Sequence, residues 1–173
     1  MASESDGIEQ ERADLIEALT AHRDLFLRTV EGIDDDQART RTTVSELTLG
    51  GLVKHVAKVE RQWVEFIERG PDAIGGMTPE AFAAHAASFR MEDGETIAGL
   101  VDAYREVGRQ TEQVVRTLPS LDVSHPLPEA PWFPPGARRT ARRAIVHIVA
   151  ETAQHAGHAD IIRESLDGAK TMG

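Results

Sequence analysis

No cysteine occurs among the 173 residues. That absence removes disulfides, thiolate nucleophiles and thiolate metal ligands together, so any metal must be held by histidine and carboxylate. Aromatic residues are few, at 5%, beside an ordinary 40% hydrophobic content. Basic residues are in deficit: 19 Lys and Arg stand against 29 Asp and Glu, a net charge of −10. Phosphate binding needs a concentrated positive face, so nucleic acid is not an expected partner. No apolar run approaches the ~18 residues of a membrane span. Met1–Gly7 lacks the basic region and apolar core of a signal peptide. The expected location is the cytoplasm, with no membrane partner. Strand-like alternation, repeats and low-complexity tracts are also missing.

What is present is helical periodicity. The length suits one domain, residues 1–173, with a sizeable core. After a frayed leader at 1–6, Leu15, Leu19, Phe26 and Val30 mark a first amphipathic helix over about 8–30, ended by Gly32 and a polar connection. His22 lies off its stripe and reads as a surface residue. A second helix spans 48–69, with Leu52, Val56, Val59, Trp63 and Ile67 inward and Gly70-Pro71 as its stop. Gly50 and Gly51 in its first turn permit close backbone approach. A short helix over 79–89 takes Thr78 as N-cap and Pro79 at its first position; His85 on it has no matching partner and is expected to be exposed. A third long helix spans 96–118, and a fourth 140–166. Trp63, Phe66, Leu100, Tyr104, Ile148 and Ile162 are the expected core. The fold class is all-α, a four-helix bundle with one short extra helix.

Residues 119–138 carry six prolines and cannot be helical. Their apolar character suits a strap across the bundle, with Trp132 and Phe133 docked on it. Arg138, Arg139, Arg142 and Arg143 follow. They read as a solvated helix start, or as a carboxylate-binding cluster if they line a cleft.

The fourth helix holds the chemistry. At about 100° per residue, His147, Glu151, His155 and His158 fall on one arc that overlaps the apolar stripe of Ala144, Ile148, Ile162 and Leu166. Inward polar groups cost several kcal/mol unless they have partners. Glu151 and His155, four apart, can reach one ion. His55, on the inward side of the second helix, can supply a third ligand. A His₂Glu set leaves an open coordination position and suits zinc, while nickel, iron and manganese are also admitted. The spacing E-x₃-H differs from the E-x-x-H of di-iron bundles. His158 can replace a ligand or stand behind one, and His147 can orient Glu151. A metal-free His–Glu network and a polar face at a dimer contact remain open alternatives.

L-V-K-H-V-A-K-V-E-R-Q-W around His55, with H-I-V-A-E-T-A-Q-H-A-G-H-A-D-I-I-R near the C-terminus, resembles the DinB-like metal-dependent four-helix-bundle superfamily. The pattern is closest to the branch of mycothiol-dependent maleylpyruvate isomerase and mycothiol S-transferases. The resemblance covers nearly the whole chain. It implies an up-down-down-up bundle with a long crossover between the second and third long helices. It also implies a divalent metal on His55, Glu151 and His155, a homodimer, and a low-molecular-weight thiol as cosubstrate to an electrophile. Many DinB-like relatives carry His where this chain has Glu151. The isomerase has a further C-terminal domain, whereas this sequence ends at Gly173, so transferase chemistry is expected before isomerisation. The alternatives are a non-catalytic metal- or ligand-binding bundle and a stress-linked dimeric interaction protein.

Overall fold

The computed structural model describes residues 4–74 and 78–171. Among them are four long helices, α1 (Glu4–Arg28), α3 (Leu49–Arg69), α5 (Ile97–Thr117) and α6 (Ala141–Asp167), and two short ones, α2 (Asp35–Arg39) and α4 (Pro79–Ala87). A 3₁₀ turn (Pro71–Ile74) follows α3. The expected leader starts α1 from Glu4 onward, and its first three residues lie outside the described ones.

Side-chain caps set the helix starts. Thr48, Thr78, Thr96 and Thr140 all sit in extended backbone with a hydroxyl accepting from the backbone N–H three residues on. Such caps are typically worth about 1 kcal/mol each. Gly168, at φ 82°, closes α6 in the left-handed conformation that glycine alone adopts without cost.

The long helices run up, down, down, up. Arg142 at the start of α6 pairs with Glu11 near the start of α1. At the other end, Arg163 donates to the carbonyls of Thr29 at 3.0 Å and Glu31 at 2.8 Å, so α1 and α6 are parallel. His55 lies against His155 and Trp63 against His147, so α3 runs antiparallel to α6. Lys54 meets Glu95 just ahead of α5 at 3.0 Å, and Glu60 meets Thr111 further along, so α3 and α5 are parallel. Two adjacent parallel helices need a long return, and residues 70–96 supply it.

Five of the six expected core residues are buried: Trp63, Phe66, Tyr104, Ile148 and Ile162. Leu100 is only half-buried, packed at the edge of the core. Two apolar clusters fill the interior, one around Phe26, Leu52, Val56 and Tyr104, the other around Leu19, Trp63, Phe66 and Ile148. Between them a buried ion pair crosses the bundle. Arg23 Nη2 lies 2.8 Å from Glu60 Oε1, and the Thr111 hydroxyl donates to the same oxygen at 2.6 Å. Gly108 makes room for it, since a Cβ there would stand 2.4 Å from Arg23 Cζ.

The connections between the long helices also depart from the sequence expectation. The polar connection after α1 contains α2, held by a capping box between Asp34 and Gln37. The proline-rich strap is bracketed by a two-stranded antiparallel ribbon, β1 (Ser124–Pro126) with β2 (Arg138–Thr140), too short to show alternation. Trp132 is not docked but 61% exposed, while Phe133 is half-buried beside Arg139.

Candidate metal centre

His55 is fixed by contacts on both its edge and its face. It is only 3% exposed, and its Nδ1 lies 2.9 Å from Ser88 Oγ. The Ser88 hydroxyl donates its single proton to the carbonyl of His85 at 2.6 Å. It must therefore accept from His55, which puts the proton on Nδ1 and leaves the lone pair on Nε2. The Phe89 ring stacks on the imidazole, centroids 3.7 Å apart and planes 18° from parallel. The two glycines of α3 make this possible. A Cβ on Gly51 would stand 1.9 Å from the Phe89 carbonyl oxygen, and one on Gly50 would stand 2.1 Å from Met91 Sδ. Burial, reinforced by His155 and His85, pushes the His55 pKa down to about 4, so the ring is neutral at pH 7.

The facing wall comes from consecutive turns of α6. His155 Nε2 is 3.5 Å from Glu151 Oε2, and His147 Nε2 is 3.5 Å from Glu151 Oε1. His155 Nδ1 lies 3.4 Å from His158 Nδ1, and His147 borders the other oxygen of Glu151, so both extra histidines adjoin the trio; the sequence left open whether each is a ligand or a support. Hydrogen bonding to His155, with the neighbouring imidazoles, holds the Glu151 carboxyl below its usual range. Burial lowers the pKa of His147. One ligand atom each from His55, Glu151 and His155 lies within 4.8 Å of the others. A neutral imidazole with a free lone pair, a second imidazole and an anionic carboxylate suit a divalent ion by donor type and separation. Glu151, His155 and His147 are half-buried, so the group opens to solvent.

His85 and the Arg23–Glu60 pair were not anticipated in these roles. His85 is exposed, as expected, but its ring lies 5.3 Å from that of His55 and 5.5 Å from Phe89, at the mouth of the group. Nothing in its local spacing signals this, because the crossover sets it. Arg23 and Glu60 did carry a signal: each lies on an inward stripe, four residues after Leu19 and Val56 respectively. His22, expected on the surface, is half-buried. The clefts between α3 and α5 and between α1 and α5 include none of the site histidines.

Fold and site together define a DinB-like helical bundle with a His–Glu–His group between two antiparallel helices. Residues 14–168 match the family model described as mycothiol-S-transferase, and the chain belongs to that family. The solved structure of a conserved protein from Enterococcus faecalis shares the fold, with a TM-score of 0.61 at 16% identity, covering 90% of this chain and 96% of that one. A comparison with curated proteins gave no match. Among the described residues no helix is long and apolar enough to cross a membrane.

Proposed function

We propose that the protein is a divalent-metal-dependent S-transferase that joins a small thiol, mycothiol, to an electrophilic carbon. The observation that carries this reading is the grouping of His55, Glu151 and His155 within 4.8 Å in a chain of the mycothiol-S-transferase family. Zinc is the ion that the His₂Glu set suits best, with nickel, iron or manganese as substitutes. Such an ion, when bound, lowers the pKa of a thiol enough to deprotonate it near neutral pH.

The protein's own residues do the rest. Ser88 locks His55 with its lone pair toward the group, and His158 lies against Nδ1 of His155. His147 holds Glu151, and Phe89 shields one face of His55 from water. In the overall reaction a sulfur–carbon bond forms and the carbon–leaving-group bond breaks. The bonding pair departs with the leaving group, and the thiol proton passes to solvent. The absence of cysteine fits, because the cosubstrate brings the sulfur.

Elemental analysis of the purified protein, followed by a thiol-conjugation assay with a bimane or an epoxide, tests the reading. One equivalent of divalent metal and thiol-dependent turnover are expected. Full metal occupancy without turnover across a broad electrophile panel favours a binding module instead. The homodimer implied by relatives belongs to the same proposal, and sedimentation equilibrium checks it.

A further inference from the structure

The four arginines around the start of α6 divide into two pairs. Arg142 pairs with both Glu11 and Asp122, and Arg138 donates to the Ser124 carbonyl at 2.6 Å. These two tie the strap and α1 to the end of α6. Arg139 and Arg143 have no carboxylate within ion-pair distance among the described residues, in a protein of net charge −10.

Arg139 is held nonetheless. Its guanidinium carbon lies 4.6 Å from the centroid of Trp63 and 5.5 Å from that of Phe133. Two aromatic rings thus set its position, contacts that favour a guanidinium over an ammonium. Nη1 is shielded from solvent and has no acceptor among the described residues. Burial and the like charge of Arg143 are what act on its proton affinity, and no nearby anion offsets them. A cation restrained this way, with a shielded N–H and no counter-charge, is unfavourable unless an anion completes it.

Its position relates it to the metal centre. Trp63, whose ring it contacts, lies 4.9 Å from His147, and His147 reaches Glu151. Arg143, His147, Glu151 and His155 follow one another at intervals of four along α6. Each step rises about 6 Å, so Arg143 starts about 12 Å from Glu151 along the axis, two turns away. Both guanidinium charges are felt at His147.

We propose that Arg139, assisted by Arg143, is a carboxylate-binding subsite, and that the electrophilic substrate carries a carboxylate. The planar fork of Arg139 matches a carboxylate bidentately. This inference rests on the S-transferase reading for what the subsite serves, but not for the binding itself.

The test therefore uses neither thiol nor turnover. Binding of 4-fluorobenzoate and of its neutral counterpart 4-fluorobenzamide to the full chain, as purified, is followed by ¹⁹F NMR. Benzoate should bind more tightly than benzamide, and its affinity should fall with added salt. Arg139→Gln should weaken benzoate by about 10- to 100-fold and leave benzamide unchanged. Arg139→Lys should recover only part, lacking the fork. Arg143→Gln, at an exposed position, should weaken benzoate to a smaller extent and serves if Arg139→Gln does not fold. Equal affinity for acid and amide, or benzoate affinity unchanged by Arg139→Gln (as for binding at the metal), overturns the subsite. Absence of thiol conjugation in the separate assay would sink the transferase reading and leave a measured anion site intact.

Discussion

His55 depends on a hydroxyl that belongs to a different element. Ser88 both accepts from its Nδ1 and donates to the His85 carbonyl, so the imidazole has one tautomer and one orientation. Removing such a support typically costs about 10- to 100-fold in metal affinity. Ser88→Ala should show that loss in a competition titration with a metal chelator, with helicity unchanged. Acid acts on the same residues. The His55 pKa is near 4 in the folded protein and 6.5 when unperturbed, so the unfolded chain takes up the proton first as pH falls. Glu151, also lowered by folding, works in the same direction below its ordinary 4.5. Metal-free protein should lose thermal stability as pH drops from about 6.5 through 4. His55→Gln should flatten that decline; a wild-type melting temperature constant from pH 7 to 4.5 would contradict it.

At the scale of elements, the crossover is a working part of the site. It delivers Ser88, Phe89 and His85, and it lies close to α3 only because Gly50 and Gly51 carry no side chain. Gly51→Ala must displace the Phe89 carbonyl, which a Cβ would meet at 1.9 Å. The stacked ring on His55 moves with it. Weaker metal binding is expected, by isothermal titration, with an essentially unchanged helical circular dichroism spectrum. The four long helices were legible in the sequence because their apolar stripes repeat over five or more turns. The convergence of His55, Glu151 and His155 was legible because a carboxylate and an imidazole four apart on a core stripe need partners. Phe89 and His85 were not, since a nonlocal path brings them in and no periodicity encodes it. Trp132 misled for a related reason: an apolar residue in a proline-rich strap implies burial, but the strap is held by its ribbon and by Phe133 instead.

For the whole molecule, metal and fold should be linked. A ligand that binds only the folded state at 100 times its dissociation constant adds about 2.7 kcal/mol. In a chain of this length that is roughly a 5–10 °C rise in melting temperature. Zinc added to chelator-treated protein should give that rise by differential scanning fluorimetry, and His155→Ala should abolish it. The pair in the middle of the bundle should set stability independently of metal. Breaking a buried ion pair by removing one partner costs about 3–5 kcal/mol, whereas replacing both with matched apolar groups is close to neutral. Glu60→Leu and Arg23→Met should each lower the denaturation midpoint in urea, and the double variant should recover most of the loss.

The same arithmetic bears on how this chain can change over generations. Arg23 lies at the core of α1, Glu60 at the core of α3, and Gly108 on α5 leaves the space the guanidinium occupies. A typical domain is stable by only about 5–15 kcal/mol. Any one of the three exchanged alone leaves a stranded charge or a steric overlap, and each such step removes a large share of that margin. An apolar alternative of equal stability exists in principle, but every single-substitution route to it passes through a weakened intermediate. The trio is therefore expected to be inherited as a block, with departures in descendants appearing as coordinated replacements at 23, 60 and 108.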